Sequence, residues 1–179
     1  MRAIVNVTPD WGIGAENHLL ISVPSDLKRF RELTVGKTVI LGRKTLETFP
    51  GKRPLKNRRN LILSRNQGFS AENAEVYSSV GALLEAVKEL PPEEVFVIGG
   101  ESVYRALLPY CDRVLLTRNW FDGKADRFFP NLDALSQWRQ DCASELMEEN
   151  GVTFQYIDYV NRNATLLANS ADEKRESVE

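Results

Sequence analysis

Short apolar runs alternate with amphipathic stretches along most of the chain, and the two kinds of segment predict different elements. The apolar runs are rich in valine, isoleucine and leucine, as in strands that a sheet buries on both faces. A weaker run, Glu75–Tyr77, predicts an edge strand. The predicted core strands are Ala3–Val7, Thr38–Leu41, Asn60–Leu63, Val95–Ile98 and Val114–Thr117.

The amphipathic stretches predict four helices. In one of them, apolar residues recur at helical spacing (Val80, Leu83, Leu84 and Val87) and form a stripe that faces a core. Alternation of such helices with buried strands is typical of an α/β fold with a largely parallel sheet. The predicted helices are Ser25–Leu33, Arg43–Thr48, Val80–Glu89 and Glu101–Leu108.

Turn residues divide the chain further. Asn150-Gly151 lies between two strand-like runs, 145–149 and 152–160, and this dipeptide favours the positive φ angles of a tight hairpin turn. We therefore expect the fold to end in an antiparallel hairpin. Two other segments, Thr8–Val23 and Pro50–Pro54, are predicted to be functional loops.

The length of 179 residues fits a single domain with a substantial core. We expect that domain at residues 1–162, followed by a polar, disordered tail at residues 163–179. The net charge of −2 gives no reason to expect nucleic acid or an anionic membrane as a partner.

The remaining composition excludes several classes of protein. No apolar run approaches the ~20 residues of a membrane span, and no secretory segment precedes the first predicted strand. Cys111 and Cys142 follow no metal-ligand spacing, so we expect both to be reduced. With His18 as its only histidine, the chain has almost nothing from which to build a zinc site or a Ser-His-Asp triad. These features predict a cytoplasmic protein without a bound metal.

The most informative polar residue is a carboxylate at the start of a predicted helix. Asp26 and Phe30 are four residues apart and share a helix face, and Pro24 is well tolerated at the helix opening. A charge that faces an apolar groove costs free energy unless a partner or a ligand compensates it. Asp26 is therefore a candidate for ligand recognition or proton chemistry. For an isolated Pro-x-Asp, a capping or solvated aspartate is the commoner explanation.

Glycines and basic residues follow three predicted strands. Val97-Ile98-Gly99-Gly100 and Gly42-Arg43-Lys44-Thr45 each join a strand to a helix, and Ser64-Arg65 follows a third strand. Ligands of open α/β sheets bind at the carboxyl ends of strands, where glycine allows close approach and a helix start favours anions. Two cations at a helix start oppose the helix dipole and suit a phosphate instead. Each feature alone is also typical of an ordinary turn or a surface charge.

The chain lacks both Gly-x-Gly-x-x-Gly and the Walker lysine motif, so a conventional dinucleotide-binding fold is not supported. Instead, the segments taken in order resemble the dihydrofolate reductase family over about residues 3–160. The resemblance includes Ile4-Val5, Trp11-Gly12-Ile13-Gly14, Glu16-Asn17, Pro24-x-Asp26-Leu27-x-x-Phe30, Gly42-Arg43-x-Thr45, Pro54-Leu55, Arg58-x-Asn60, Leu63-Ser64, Ile98-Gly99-Gly100, Val103-Tyr104, Leu116-Thr117 and Asp126-x-Phe128-Phe129-Pro130.

The resemblance implies a fold and an activity. The fold would be a three-layer α/β architecture with a mostly parallel eight-stranded sheet, a C-terminal antiparallel hairpin and a cis peptide bond between Gly99 and Gly100. The activity would be the NADPH-dependent reduction of 7,8-dihydrofolate to 5,6,7,8-tetrahydrofolate. The partners would be small molecules, dihydrofolate and antifolates, and the chain would act as a monomer.

The resemblance also implies roles for particular residues of this sequence. Asp26 would hydrogen-bond the pterin ring and promote protonation at N5, and Thr117 would share that network. Arg58 would pair with the glutamate carboxylate of the substrate as a planar fork. The substrate pocket would be lined by Ile4, Val5, Leu27, Phe30, Phe49 and Leu55. NADPH would be contacted by Asn6, Ile13, Gly14, Gly42, Arg43, Lys44, Thr45, Leu63, Ser64, Arg65, Ile98, Gly99, Gly100, Glu101, Ser102, Val103 and Tyr104.

Two positions depart from the family pattern. The closing loop contains Leu20 and Ile21 where the family usually has proline and then tryptophan, and Asn6 stands where a small alanine is common. We expect these departures to change the nicotinamide contacts and the response to inhibitors rather than the reaction. Two alternatives stay open, a pyrimidine reductase of riboflavin synthesis on the same fold and a silent NADPH- or folate-binding paralogue. The combination of Asp26 with Arg58 favours folate.

Overall fold

The structure of the chain, a computed structural model, describes residues 1–16 and 18–163, so the predicted tail beyond Asn163 lies outside the described residues. The α-helices are α1 (Pro24–Thr34), α2 (Arg43–Thr48), α3 (Val80–Val87) and α4 (Glu101–Leu107). The strands are β1 (Arg2–Val7), β2 (Gly12–Ala15), β3 (His18–Leu19), β4 (Thr38–Gly42), β5 (Arg59–Leu63), β6 (Glu75–Tyr77), β7 (Val95–Gly99), β8 (Arg113–Asn119), β9 (Arg127–Phe128), β10 (Trp138–Ala143), β11 (Met147–Glu149) and β12 (Val152–Asn161).

The main sheet confirms the predicted α/β class. Its strand order is β10-β12-β8-β1-β7-β4-β5-β6, and β11 pairs with β12 beside this path, which gives nine strands rather than eight. The strands from β8 to β6 are parallel, whereas β12 is antiparallel to β8, β10 and β11. Positive φ angles at Asn150 (53°) and Gly151 (76°) form the predicted hairpin turn.

The prediction that Thr8–Val23 is a loop was wrong. This segment contains β2 and β3, which form a separate three-stranded sheet with β9 in the order β3-β2-β9. The strand β2 contains two glycines, which have low strand propensity, and its partner β9 lies more than a hundred residues away along the chain. A local pattern therefore carried no signal for this sheet.

The predicted helices are all present, with ends that differ by one or two residues. Proline at the first helical position starts α1 at Pro24, one residue earlier than predicted. The side chain of Ser79 caps α3 by accepting a hydrogen bond from the Ala82 amide at 3.2 Å. The helix α4 ends at Leu107, where a 3₁₀ turn containing a proline follows. No helix of the described residues is long and apolar enough to cross a membrane.

Helices cover both faces of the sheet, as a three-layer architecture requires. Leu83 of α3 and Leu107 of α4 pack with Val97 and Leu116 in the larger core. Phe30 of α1 packs with Ile4, Val39, Phe96 and Leu115, which form a smaller core with other partly buried apolar residues. Since β1 contributes Ile4 to one core and its neighbours Ala3 and Val5 to the other, its side chains alternate across the sheet.

Replacement of Leu116 by alanine should lower the free energy of unfolding by about 2–5 kcal/mol. Leu116 is fully buried and its backbone pairs between Val5 and Ile157, so the truncation leaves a cavity at the centre of the sheet. Urea unfolding followed by circular dichroism measures the change. Leu146→Ala is the control, since Leu146 is 62% exposed and its truncation should change stability by less than about 0.5 kcal/mol. Equal losses in the two variants would contradict this account of the core.

Candidate active site

Two neighbouring strands hold the carboxylate of Asp26, which lies in the first turn of α1. The half-buried Asp26 accepts a hydrogen bond at Oδ1 from the hydroxyl of Thr117 at 2.5 Å and another at Oδ2 from Nδ2 of Asn6 at 2.8 Å. Asn6 and Thr117 are register partners in the parallel pairing of β1 with β8, so their side chains reach the same face of the sheet. Each carboxylate oxygen thus has one protein donor and keeps lone-pair capacity for a ligand.

The side chain of Asn6 belongs to the carboxylate network. Its Nδ2 donates to Asp26 and its Oδ1 accepts from Nδ2 of Asn119 at 2.5 Å, and the predicted contact of Asn6 with the cofactor stays a prediction. Asn119 is buried, donates to the Val7 carbonyl at 3.1 Å and accepts from the Phe121 amide at 3.0 Å. A continuous set of hydrogen bonds therefore connects the end of β8 with Asp26.

The predicted substrate-lining residues lie in different packing clusters. Ile4, Phe30 and Leu55 pack together on the α1 side of the sheet, whereas Phe49 packs in a neighbouring cluster around Leu41. Leu27 follows Asp26 on α1 and is 48% exposed. The side chain of Val5 lies in the core on the opposite face of the sheet. Where β1 passes the carboxylate, Val5 therefore contributes only its main chain.

Arg58 lies at the far end of α1 and is oriented by two acceptors. Its Nε donates to the hydroxyl of the buried Thr34 at 3.1 Å, and Nη1 donates to the carbonyl of Lys56 at 2.7 Å. The guanidinium carbon lies 6.0 Å from the ring centroid of Phe30. Burial and the nearby Arg31 lower the pKa of Arg58, but an arginine remains charged at neutral pH.

The side chain of Asn60 hydrogen-bonds the main chain between Leu55 and Arg58. Its Nδ2 donates to the carbonyls of Leu55 and Arg58 at 2.9 and 3.0 Å, and its Oδ1 accepts from the Leu55 amide at 3.0 Å. The sequence contains Asn60 within a family motif, but no local pattern indicated this clamp. Asn119 was also missed, because its role depends on the pairing of β8 with β1.

A glycine cradle lies where β4 and β7 end side by side. A Cβ on Gly100 would lie 2.9 Å from Oγ1 of Thr45, and one on Gly42 would lie 3.1 Å from Cγ2 of Val103. The peptide bond between Gly99 and Gly100 is cis, in agreement with the resemblance. These close approaches bring the starts of α2 and α4 together and leave main-chain groups open to a ligand.

The basic residues lie along the same edge of the sheet. Gly42 is the register partner of Leu63, so the residues after β4 and after β5 are adjacent. Lys44 and Arg65 are exposed, and Nε of Arg43 lies 3.6 Å from Glu47. Ser64 is buried, and its hydroxyl accepts from the Asn66 amide at 3.2 Å.

The remaining predicted cofactor residues differ in accessibility. Ile98 and Leu63 are half-buried at strand ends, and Ser102 on α4 is exposed. Glu101 pairs with Arg105 on the same helix at 3.2 Å. Tyr104, by contrast, is buried, and its hydroxyl donates to the Ile4 carbonyl at 2.7 Å.

The β2–β3 segment lies beside Asn6 and Asn119. A small cavity is lined there by Asn6, Ile13 and Asn119 together with Gly12, Leu19, Leu20 and Ile21. Gly14 lies on β2, next to Ile13, and pairs with Leu19 of β3. The residues that replace the usual proline and tryptophan therefore face the amide network of Asn6. Within the described residues, no group of three or more His, Cys, Asp or Glu side chains is arranged to bind a metal.

Comparison with known proteins agrees with this geometry. The family model for dihydrofolate reductase matches residues 1–161. The chain belongs to the dihydrofolate reductase family. A dihydrofolate reductase from Bacillus subtilis is 34% identical over 155 residues, which cover 86% of this chain and 89% of that protein. A solved dihydrofolate reductase from Enterococcus faecalis, complexed with NADP(H) and RAB-propyl, has a TM-score of 0.80 at 33% identity and covers 89% of this chain and 95% of that chain.

Some dihydrofolate reductase relatives are much longer. The bifunctional dihydrofolate reductase-thymidylate synthase 2 of Arabidopsis thaliana is 34% identical over 190 residues, which cover 96% of this chain but 33% of that protein. The chain thus spans about a third of the length of this relative and about nine tenths of the Bacillus subtilis one.

In this dihydrofolate reductase family member, Tyr104→Phe should lower the free energy of unfolding by about 1 kcal/mol at pH 7, because the Ile4 carbonyl loses its partner. Burial raises the pKa of Tyr104 well above its ordinary value of 10.0. The unfolded chain therefore loses this proton at lower pH than the folded chain, and the stability tied to the buried hydroxyl falls above about pH 10.

The difference in the free energy of unfolding between wild type and Tyr104→Phe should accordingly be constant from about pH 6 to 9 and should shrink above about pH 10. Urea unfolding of both proteins at several pH values measures it. A difference that is unchanged at high pH would show that Tyr104 is not held in its protonated form by burial.

Proposed function

We propose that the chain reduces 7,8-dihydrofolate to 5,6,7,8-tetrahydrofolate with NADPH as the reductant. The observation that carries this function is the half-buried Asp26 carboxylate, held by donors from two strands, Asn6 and Thr117. These two donors lie on the same sheet as the glycine cradle and the basic edge. A pterin site and a nucleotide site on one sheet are what the reaction needs.

The role of Asp26 follows from its hydrogen bonds. Since Asn6 and Thr117 each use part of one oxygen, the carboxylate can still accept N–H donors of a pterin ring. A carboxylate that binds this edge of the ring orients the substrate and promotes protonation at its N5 atom. Thr117 is buried and fixes the carboxylate rather than contacting bulk water.

Arg58 supplies the second anchor for the substrate. Thr34 and the Lys56 carbonyl orient two of its N–H groups, and the rest of the guanidinium fork remains for a carboxylate. The clamp of Asn60 on Leu55 and Arg58 keeps the apolar wall and the cation in one arrangement. A ligand with an aromatic ring at one end and a carboxylate at the other matches this arrangement.

The residues of the glycine cradle and the basic edge fit NADPH. The close contacts at Gly42 and Gly100 leave little room for a side chain, and Arg43, Lys44 and Arg65 are cations beside them. These three side chains would hold the 2′-phosphate, Ser64 would lie beside the adenosine, and the start of α4 would face the pyrophosphate. When bound, NADPH supplies the hydride that reduces the pterin.

Two alternative functions, a pyrimidine reductase and a silent binding paralogue, fit these residues less well. A pyrimidine reductase of riboflavin synthesis would need groups for a phosphorylated sugar near the substrate, whereas Arg58 beside Phe30 suits a carboxylate attached to an aromatic group. A silent binding paralogue would not need the complete set of Asp26, Phe30, Arg58 and Thr117. The decrease in absorbance at 340 nm with NADPH, measured once with dihydrofolate and once with a phosphoribosylamino-pyrimidine, separates all three functions.

We further propose that residues 1–162 act as a cytoplasmic monomer without a nucleic-acid or membrane partner. The net charge of −2 and the two free cysteines support this proposal. Size-exclusion chromatography with light scattering tests the oligomeric state, and a dimer at micromolar concentration would contradict it.

Asp26→Asn should keep the fold but lower turnover at pH 7 by about 10²–10⁴-fold, because proton transfer to the substrate loses its carboxylate. The loss should be smaller at acidic pH, where solvent protons replace the missing assistance. The decrease in absorbance at 340 nm with dihydrofolate and NADPH measures turnover. Asp141→Asn, at an exposed position on β10, is the control and should retain full activity. Near-wild-type turnover of Asp26→Asn at pH 7 would exclude the proposed role.

The double variant Arg43→Ala/Arg65→Ala should weaken NADPH binding about ten-fold or more, and NADH binding much less. Only NADPH carries the 2′-phosphate that these cations are proposed to bind. The dissociation constants of both cofactors, measured by fluorescence titration, give the result. The matched control Arg139→Ala/Arg162→Ala removes two exposed arginines elsewhere and should leave both constants unchanged. Equal weakening of both cofactors would refute recognition of the 2′-phosphate by Arg43 and Arg65.

A further inference from the structure

The amide of Asn6 has only one orientation that satisfies its neighbours. Asn119 must direct its Nδ2 to the Val7 carbonyl, an acceptor, and its Oδ1 to the Phe121 amide, a donor. The same Nδ2 also reaches Asn6, which must therefore present Oδ1 to Asn119. As a result, Nδ2 of Asn6 faces Asp26. Two backbone groups thus determine which atom of Asn6 meets the carboxylate.

We infer that Asn6 is a positioning residue for the reaction, and that Asn119 acts through Asn6 to fix the Oδ2 oxygen of Asp26. With Thr117 as its only donor, the carboxylate would be free to pivot about the hydrogen bond between Thr117 and Oδ1. With Asn6 in place, both oxygens have a donor on the same pair of strands, and the plane of the carboxylate is set before the substrate binds. Because this role rests on the proposed function, it is tested in the same reaction.

Other groups around Asp26 do not replace the amide. Tyr104 on α4 and Tyr156 on β12 interact electrostatically with Asp26, but the hydroxyl of Tyr104 is bonded to Ile4. Arg29, the basic group one turn along α1, is directed to Asp158 at 3.5 Å and to the ring of Tyr156 at 4.2 Å. Among the described residues, only Asn6 and Thr117 hydrogen-bond the carboxylate.

Two consequences follow for the reaction. A fixed carboxylate holds the substrate in a reactive orientation, so loss of the amide should lower kcat more than it changes the KM of NADPH. Because NADPH is proposed to bind at the glycine cradle and the basic edge, loss of the amide should change the affinity for the cofactor little.

The test compares two replacements of Asn6 in the full-length protein. Asn6→Ala removes the amide, and Asn6→Leu removes the donor while it approximately restores the side-chain volume. Both should lower kcat for dihydrofolate about ten-fold and leave the KM of NADPH within about two-fold. Asn131→Ala, which removes an exposed side chain that accepts from the Asp133 amide, should match the wild type.

The results distinguish the inference from the function on which it rests. If the wild type does not reduce dihydrofolate at all, the proposed function is wrong. If the wild type is active and either Asn6 variant has the same kcat as the wild type, the role of Asn6 is wrong and the function stands. Recovery of activity in Asn6→Leu alone would assign the effect to packing and would likewise overturn the inference.

A second measurement tests whether Asn119 acts through Asn6. Asn119→Ala should lower kcat several-fold in the wild-type background but should have no further effect on Asn6→Ala. Urea unfolding of each variant, and kcat per folded molecule, separate this coupling from any loss of stability caused by the buried groups left without partners. Equal effects of Asn119→Ala in both backgrounds would show that Asn119 does not act through Asn6.

Discussion

The register between β1 and β8 is the constraint on which the site depends. It places Asn6 opposite Thr117 on the face that α1 covers, while Val5 and Val7 enter the core on the other face. A shift of one residue would turn the side chains of a strand to the opposite face. Asp26 would then lose a donor, and a polar amide would be buried among valines and leucines. The hydrophobic core and the carboxylate network therefore select the same pairing.

Strand order extends this effect from the carboxylate to the rest of the cleft. Since β1, β7, β4 and β5 are parallel neighbours, their carboxyl ends form one continuous edge. Asn6, Gly99, Gly42 and Leu63 lie at or near these ends, although almost a hundred residues separate the first two along the chain. The parallel sheet thus brings the two donors of Asp26, the glycines and the basic residues together, and α1 adds the carboxylate.

The sequence allowed prediction of the parts of the fold that have local signals. The buried strands and the Asn150-Gly151 turn were predicted because apolar runs and turn residues act over a few positions. The β3-β2-β9 sheet was missed, because glycine-rich segments pair there across long separations. The same reason applies to the site. Asp26 stands out in its helix, whereas the contact of Asn6 with Asp26 and the role of Asn119 exist only once the strands are paired.

The scattering of the site over five strand ends has a consequence for the lifetime of the protein. Ligands at the start of α1 and at the cradle between β4 and β7 contact segments that lie far apart along the chain. Binding to the folded chain alone adds about 2.7 kcal/mol when the free ligand is at a hundred times its dissociation constant. Resistance to proteases, which attack transiently opened molecules, therefore increases with the supply of ligand. The abundance of such a chain in a cell would follow the concentration of the small molecules that it binds.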